Sequence, residues 1–138
     1  MALFSIFDVA GSGLAAQSVR LNTTASNLAN VQSLAGDPAQ VYRSRHPVFA
    51  TEQRPFADHL QAAQVQVLGV VESAAPALQR YQPGHPSADE NGYVWGTNVN
   101  AIEEMANMIS ASRAYQSNLE VINTSKELLL RTLSLGQG

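Results

Sequence analysis

The sequence contains no cysteine, and this absence excludes disulfide bonds, zinc–thiolate sites and thiol nucleophiles. It also has no apolar run approaching the roughly 20 residues that a membrane-spanning helix requires. The N-terminal stretch is apolar, but it lacks a positively charged start and Asp8 interrupts it. We therefore expect no cleaved secretory signal.

Positive charge is scarce as well. The 138 residues include 8 basic and 11 acidic ones, giving a net charge of −3, and the basic residues are scattered along the chain. Proteins that bind nucleic acid without reading its sequence need a basic stripe or patch. The composition therefore argues against a nucleic-acid partner, and the length corresponds to one small domain.

Apolar residues recur every seven positions in the N-terminal segment, which predicts a helix over residues 5–33. Ser5 followed by Asp8 matches a capping box and predicts the start of this helix. The sequence Gly-Asp-Pro at residues 36–38 predicts its end. The repeat consists of Phe7, Leu14, Leu21 and Leu28, with Ala10, Gln17, Thr24 and Val31 three positions after each.

A second heptad repeat predicts a long helix over residues 101–135. Asn100 is the expected N-cap, Glu103 complements the helix dipole, and Gly136 suits the C-terminal cap. One series is Ala101, Met108, Tyr115, Ile122 and Leu129, its companion is Met105, Ser112, Leu119, Lys126 and Leu133, and Ile102, Ile109 and Leu130 widen the stripe. At 1.5 Å per residue the two helices would be roughly 40 and 50 Å long.

The middle of the chain has a different character. Alternating and β-branched residues predict short strands over residues 41–51 and 63–73. Asn91 and Gly92 favour a tight turn before a strand at residues 93–95, and the prolines at 83 and 86 indicate a loop. We therefore predict a small β insert between the two helices.

These elements define the predicted fold. It is mainly α with a small β insert, and the long N- and C-terminal helices pair as a coiled coil, with short strands and loops between them. Residues 1–35 supply the N-terminal helix of the coiled-coil core domain, residues 36–99 form a β-rich outer insert, and residues 100–138 supply the C-terminal helix of the core domain.

One motif hints at an enzyme. The sequence from Gly11 to Ala16 fits the dinucleotide-binding pattern G-x-G-x-x-[GA]. The heptad repeat runs straight through it, however, as a helix would and a strand–turn–helix would not, and the βα alternation of such folds is absent. The histidines, His46, His59 and His85, are too far apart for a local metal motif. We expect no catalytic, cofactor-binding or metal-binding residues.

The predicted helices contain many amide side chains, although asparagine is a poor helix former. A buried asparagine in a coiled coil costs stability but fixes register and partner number. We therefore expect the Asn27→Leu, Asn118→Leu double variant to form helices that assemble in wrong registers. The amides expected to set register are Asn22, Asn27, Asn30, Asn107, Gln116, Asn118 and Asn123. The side chains expected to carry helix packing and assembly are Phe7, Leu14, Leu21, Leu28, Met108, Tyr115, Leu119, Ile122 and Leu129.

Two segments resemble a known family. "SNLAN" at residues 26–30 and "SRAYQSNLEVINTSKELL" at residues 112–129, in this order and within 138 residues, are similar to the rod and hook axial proteins of the bacterial flagellum, in particular to the C type of proximal rod protein. The resemblance covers both ends of the chain and touches the middle. Residues 36–63 are the part least like the family.

The resemblance implies a structural subunit without a cofactor or a small-molecule substrate. Proteins of this family polymerise helically into the drive shaft that transmits torque, with their paired terminal helices facing the rod channel. The implied partners are copies of the chain, other rod proteins, basal-body ring components and components near the export gate. The implied location is the basal body across the periplasm, reached by type III export without a cleaved signal. The sequence leaves open a helical-hairpin adaptor or export chaperone, and a dinucleotide-binding fragment.

Overall fold

The computed structural model describes residues 2–54 and 62–136, and it has two long helices separated by five short strands. The predicted class, mainly α with a small β insert, is confirmed. In chain order the elements are α1 (Ala2–Ala29), β1 (Leu34–Ala35), β2 (Arg45–Arg54), β3 (Ala62–Glu72), β4 (Leu78–Tyr81), β5 (Tyr93–Gly96) and α2 (Ala101–Leu135).

The predicted limits of α2 are confirmed at both ends. The Asn100 side chain accepts hydrogen bonds from the N–H groups of Ile102 (3.1 Å) and Glu103 (3.4 Å), as an N-cap should. At the other end, the N–H of Gly136 donates to the carbonyls of Thr132 and Leu133. Both termini of this helix therefore satisfy backbone groups that would otherwise lack partners.

The predicted limits of α1 are wrong at both ends. The helix begins at Ala2, so Ser5 and Asp8 lie inside it and form no capping box. Alanine and leucine, which precede Ser5 in the sequence, are strong helix formers, and they extend the helix toward the N-terminus. The helix ends at Ala29 because Asn30 folds its side chain back, donating to the Ser26 carbonyl at 2.9 Å.

The insert contains two small antiparallel sheets. Strands β2 and β3 form a hairpin that runs from the Arg45–Glu72 pair to the Arg54–Ala62 pair. Strands β1, β5 and β4 form the second sheet in that spatial order. The predicted turn is confirmed, since Gly92 has a φ of +81° and its N–H donates to the Asp89 carbonyl at 2.9 Å.

Strand β2 begins at Arg45, later than the predicted residue 41. Just before the strand, the backbone N–H of Ser44 is bonded to a side chain of another segment. The N–H of Ser44 donates to the Asn98 side-chain oxygen at 2.8 Å, and the Asn98 amide donates to the Ala75 carbonyl at 2.8 Å. Ser44 is therefore tied to the segment before α2, and Asn98 ties that segment to the connection between β3 and β4.

The buried core is small. Among the residues that the structure describes, Val94, Asn27 and Thr97 are the largest side chains that are fully buried, and two of the three are polar. Along the helices the buried apolar residues are alanines, and many large apolar side chains remain exposed. Such a core gives the isolated chain little hydrophobic stabilisation for its length, because that stabilisation follows the apolar area removed from water.

Candidate functional site

The two long helices pack against each other in opposite directions. Gly13 lies against the Asn118 side chain, and one Nη of Arg20 donates to the Asn107 side-chain oxygen at 3.0 Å. Residue numbers along α1 therefore increase in the direction in which residue numbers along α2 decrease. Among the described helices and strands, α1 is the only one that α2 contacts.

Small and polar side chains occupy the buried faces of these helices. On α2 the buried residues are Glu104, Ala111 and Ser125, and half-buried Asn118 completes their seven-residue spacing. The buried residues of α1 are Ala10, Ala16, Thr23, Thr24 and Asn27. Small residues allow close approach, and a Cβ added at Gly13 would lie 2.7 Å from the Asn118 Nδ2.

Two buried polar atoms on these helices lack hydrogen-bond partners among the described residues. They are Gln17 Oε1 and Glu104 Oε2, and Glu104 is only 2% exposed. Burying a carboxylate oxygen without a partner is costly, since the group loses its hydration and receives little in return. The helix pair is therefore not optimised for the stability of a single chain.

Asn27 is the centre of a buried hydrogen-bond network at the C-terminal end of α1. Its Nδ2 donates to the Arg45 carbonyl at 2.8 Å, and its Oδ1 accepts from the Arg45 N–H at 3.0 Å and from the Tyr42 hydroxyl at 2.9 Å. This pairing imitates one rung of a β-ladder and fixes the first residue of β2 to α1. Asn27 therefore positions the hairpin of its own chain.

The β2–β3 hairpin then lies along α1. The Ser12 hydroxyl accepts from the Val65 N–H at 3.1 Å, while Asn27 holds the hairpin base. The two anchors on α1 are about 22 Å apart at 1.5 Å per residue. An ion pair between Arg45 and Glu72 closes the base at 2.9 Å, although both side chains are about half exposed.

The residues predicted to pack the helices occupy two kinds of position. Most are half-buried, whereas Tyr115 and Leu119 are 36% and 43% exposed. Much of the predicted companion series is exposed too, because α2 turns its small residues toward α1. The half-buried members are Phe7, Leu14, Leu21, Leu28, Met108, Ile122 and Leu129.

The predicted register-setting amides are also divided. Asn27, Asn107 and Asn118 lie between elements of this chain, with the contacts given above. Asn30 bonds locally, since its Oδ1 accepts from the Ser33 hydroxyl at 3.2 Å. The exposed members are Asn22, Gln116 and Asn123.

Sequence reasoning missed the buried series on α2. Glu104, Ala111 and Ser125 share its seven-residue spacing, but none is a large apolar residue. It also missed Ala16. Each helix carries a repeat of small residues, and these two repeats together were the available signal for the buried faces.

The dinucleotide-binding interpretation is wrong. Residues 11–13 lie within α1, and the preceding residues are helical and do not form a strand. The Ser12 hydroxyl donates to the Val9 carbonyl at 2.8 Å. The described residues contain no group of three or more acidic or histidine side chains arranged to hold a metal ion, and neither described helix is long and apolar enough to cross a membrane.

Comparison with known proteins identifies the class to which these terminal helices belong. Residues 7–32, most of which lie in α1, match the family described as flagella basal body rod protein. Residues 90–135, which include all of α2, match the family described as flagellar basal body rod FlgEFG protein C-terminal. The chain is a structural, non-enzymatic component of the flagellar basal-body rod.

Full-length relatives specify the family within this class. The flagellar basal-body rod protein FlgC of Salmonella typhimurium is 52% identical over 137 residues, which cover 99% of this chain and 100% of the relative. FlgC of Escherichia coli O157:H7 is 51% identical over the same span. FlgC of Borreliella burgdorferi is 38% identical, with 100% of both chains covered. The chain belongs to the FlgC family of flagellar basal-body rod proteins.

Family membership confirms the resemblance seen in the two terminal segments. It also decides among the interpretations that the sequence left open. Full-length similarity to rod proteins accords with a rod subunit. It does not accord with an export chaperone or an adaptor.

Proposed function

We propose that this chain polymerises helically to build the proximal rod, the drive shaft that transmits torque. Its terminal segments, residues 1–35 and 100–138, contribute α1 and α2 to a coiled-coil core domain that faces the rod channel, and residues 36–99 form an outer insert. The chain reaches the periplasm through the flagellar type III export apparatus, without a cleaved signal. Its partners are copies of itself, other rod proteins, basal-body ring components and components near the export gate.

The observation that supports this proposal most strongly is the orientation of α2. The helix buries small and polar side chains and exposes large apolar ones, among them Ile102 at 81%, Met105 at 55% and Ile109 at 57%. A helix in a self-sufficient globule has the reverse arrangement, because its apolar stripe faces the core. Large exposed apolar surfaces mark sites of protein association.

The residues predicted from the heptads have distinct roles in this proposal. The half-buried apolar residues pack α1 on α2 within a subunit, whereas Tyr115 and Leu119 contact neighbouring subunits. The exposed amides Asn22, Gln116 and Asn123 set the register between subunits. The buried amides Asn27 and Asn118 set the geometry within one subunit, so the Asn27→Leu, Asn118→Leu variant affects assembly through the subunit fold.

Deletion of the gene provides the test. We expect the deletion strain to lose swimming and to yield basal bodies without a complete rod. The full chain and the exposed-loop variant Pro83→Ala should restore both, whereas a chain that ends at residue 99 should restore neither. Swimming halos and electron microscopy of isolated basal bodies give the two measurements. Complete rods in the deletion strain would show that the chain is not a required rod subunit.

A further inference from the structure

The exposed face of α2 has the spacing of a coiled-coil contact. Its residues follow one another at alternating intervals of three and four, as a and d positions do. All of them are exposed except Ser112, which is half-buried. We call these residues the α2 stripe: Ile102, Met105, Ile109, Ser112, Gln116, Leu119, Asn123 and Lys126.

A second exposed stripe with the same spacing runs along α1. Its side chains are small, so another helix could approach it closely. All of its members are exposed except Gly11, which is half-buried. We call these residues the α1 stripe: Asp8, Gly11, Ala15, Ser18, Asn22, Ala25 and Ala29.

The two stripes complement each other when they are aligned in opposite directions. If Asp8 lies beside Lys126, every later position of the α1 stripe meets a position of the α2 stripe. Alanine then always meets a large apolar residue, and polar residues meet polar ones or glycine. The layers are Gly11 with Asn123, Ala15 with Leu119, Ser18 with Gln116, Asn22 with Ser112, Ala25 with Ile109, and Ala29 with Met105.

Other registers lose this match. A shift of one heptad in one direction places Asp8 against Leu119 and Asn22 against Met105. A shift in the other direction places Asp8 against Leu133 and Asn22 against Leu119. Each shift sets a charge or an amide against an apolar side chain, which is unfavourable when the contact is desolvated.

The charges at one end select the same register. Asp8 and Lys126 are both exposed, and neither has an ion pair within the part of the chain that the structure describes. Lys126 is the only lysine in the sequence. Opposite charges at flanking or stripe positions are a usual means of fixing partner and orientation in helix pairs.

We propose that the α1 stripe of one copy packs antiparallel on the α2 stripe of a second copy, with Asp8 beside Lys126. This inference rests on the proposed function, which it makes specific. Because α1 and α2 are antiparallel within one chain, the two copies then point the same way. The two surfaces differ and each copy carries both, so the contact repeats from one copy to the next, as a helical assembly requires.

Cysteine cross-linking tests this contact, since the sequence has no cysteine of its own. The deletion strain would produce two single-cysteine chains together, one carrying Ala15→Cys and the other Leu119→Cys, and isolated basal bodies would be treated with an oxidant. A second pair combines Ala25→Cys with Ile109→Cys. The matched control combines Ala25→Cys with Ser110→Cys, an exposed position beside the stripe. We expect mixed dimers from both stripe pairs and about tenfold less from the control.

A charge exchange provides a second measurement on the Ala15→Cys and Leu119→Cys pair. Asp8→Lys alone and Lys126→Asp alone should each lower the yield of mixed dimer by about threefold, which corresponds to the loss of one exposed ion pair. Chains that carry both exchanges should regain the yield. Arg113→Asp, an exposed charge change outside the stripe, should leave it unchanged.

The outcomes separate this contact from the rod function. Swimming cells whose basal bodies contain the chain but give no mixed dimer would overturn the contact and leave the rod function intact. A disulfide between two Leu119→Cys chains would also overturn it, because it would show α2 paired with α2. A wild-type chain that fails to restore swimming would refute both. A double charge exchange that yields no more dimer than the single ones would refute the register.

Discussion

Replacing Asn27 with alanine is expected to lower the free energy of unfolding by about 3 kcal/mol. The amide is completely buried and satisfies the N–H and the carbonyl of Arg45 together with the Tyr42 hydroxyl. Alanine would leave the N–H and the carbonyl of Arg45 without these partners, at about 1–3 kcal/mol for each group that water cannot reach. The Tyr42 hydroxyl would keep the Ser26 hydroxyl, 3.2 Å away. Urea denaturation followed by circular dichroism measures the change.

Two further variants distinguish the network from the side-chain volume. Asn27→Asp keeps the acceptor oxygen but replaces the Nδ2 donor by an oxygen that faces the Arg45 carbonyl, so it too should be destabilised. Asn22→Ala is the matched control, because Asn22 lies on the same helix and is exposed. Its stability should stay within about 0.5 kcal/mol of the parent. Equal stabilities of Asn27→Ala and Asn22→Ala would contradict the role assigned to the network.

Replacing Gly13 with valine is expected to destabilise the helix pair by about 2 kcal/mol. A Cβ at this position would approach Asn118 Nδ2 to 2.7 Å and its Cγ to 3.2 Å. A β-branched side chain adds further atoms, so a movement of the amide alone cannot relieve the overlap. Thermal unfolding measures the loss, and Asn118→Ala in the same background should recover about 1 kcal/mol of it.

Gly11 supplies a control of the opposite sign. Nothing lies within 4 Å of a Cβ added there, and the residue is in the same helix. Gly11→Ala should therefore stabilise the chain by up to about 1 kcal/mol, since alanine is the better helix former. If Gly13→Val and Gly11→Ala changed stability in the same direction, close packing would not explain why residue 13 is glycine.

The sequence was sufficient to predict the helices because heptad spacing and end signals are local. Asn100 and Gly136 mark the ends of α2, and their bonds join residues only a few positions apart. The ends of α1 were predicted wrongly because two local signals compete. Good helix formers before Ser5 extend the helix, and the side chain of Asn30 terminates it early.

The orientation of α2 could not be predicted from its pattern. Large apolar residues at heptad spacing normally indicate the buried face, and for this reason the pattern predicts that Leu119 and Tyr115 pack the helices. In the structure, Ala111 and Ser125 are buried and Leu119 is exposed. We propose that the large residues of this subunit contact other copies. The rule that large apolar residues mark the buried face derives from isolated globular proteins, and here it selects the wrong face of α2.

The function of Asn27 was equally hidden from the sequence. Its partners Tyr42 and Arg45 lie 15 and 18 positions away, beyond the reach of helix-period arguments. The amide was expected to pair with another helix, and the structure instead shows it bonded to the start of a strand. Polar residues in a helix identify a site of interest, but tertiary structure determines which segment they bind.

Limited trypsin digestion tests most directly whether the terminal helices are assembly surfaces. The sites are Arg20, Arg113, Lys126 and Arg131 in the helices and Arg43, Arg45 and Arg80 in the insert, because trypsin does not cut the Arg54–Pro55 bond. We would compare the purified chain with the chain in isolated basal bodies and identify the fragments by mass. We expect the helix sites to be cut readily in the free chain and to be protected in basal bodies. In basal bodies the insert sites should be cut first. Helix sites cut equally fast in both samples would contradict the account.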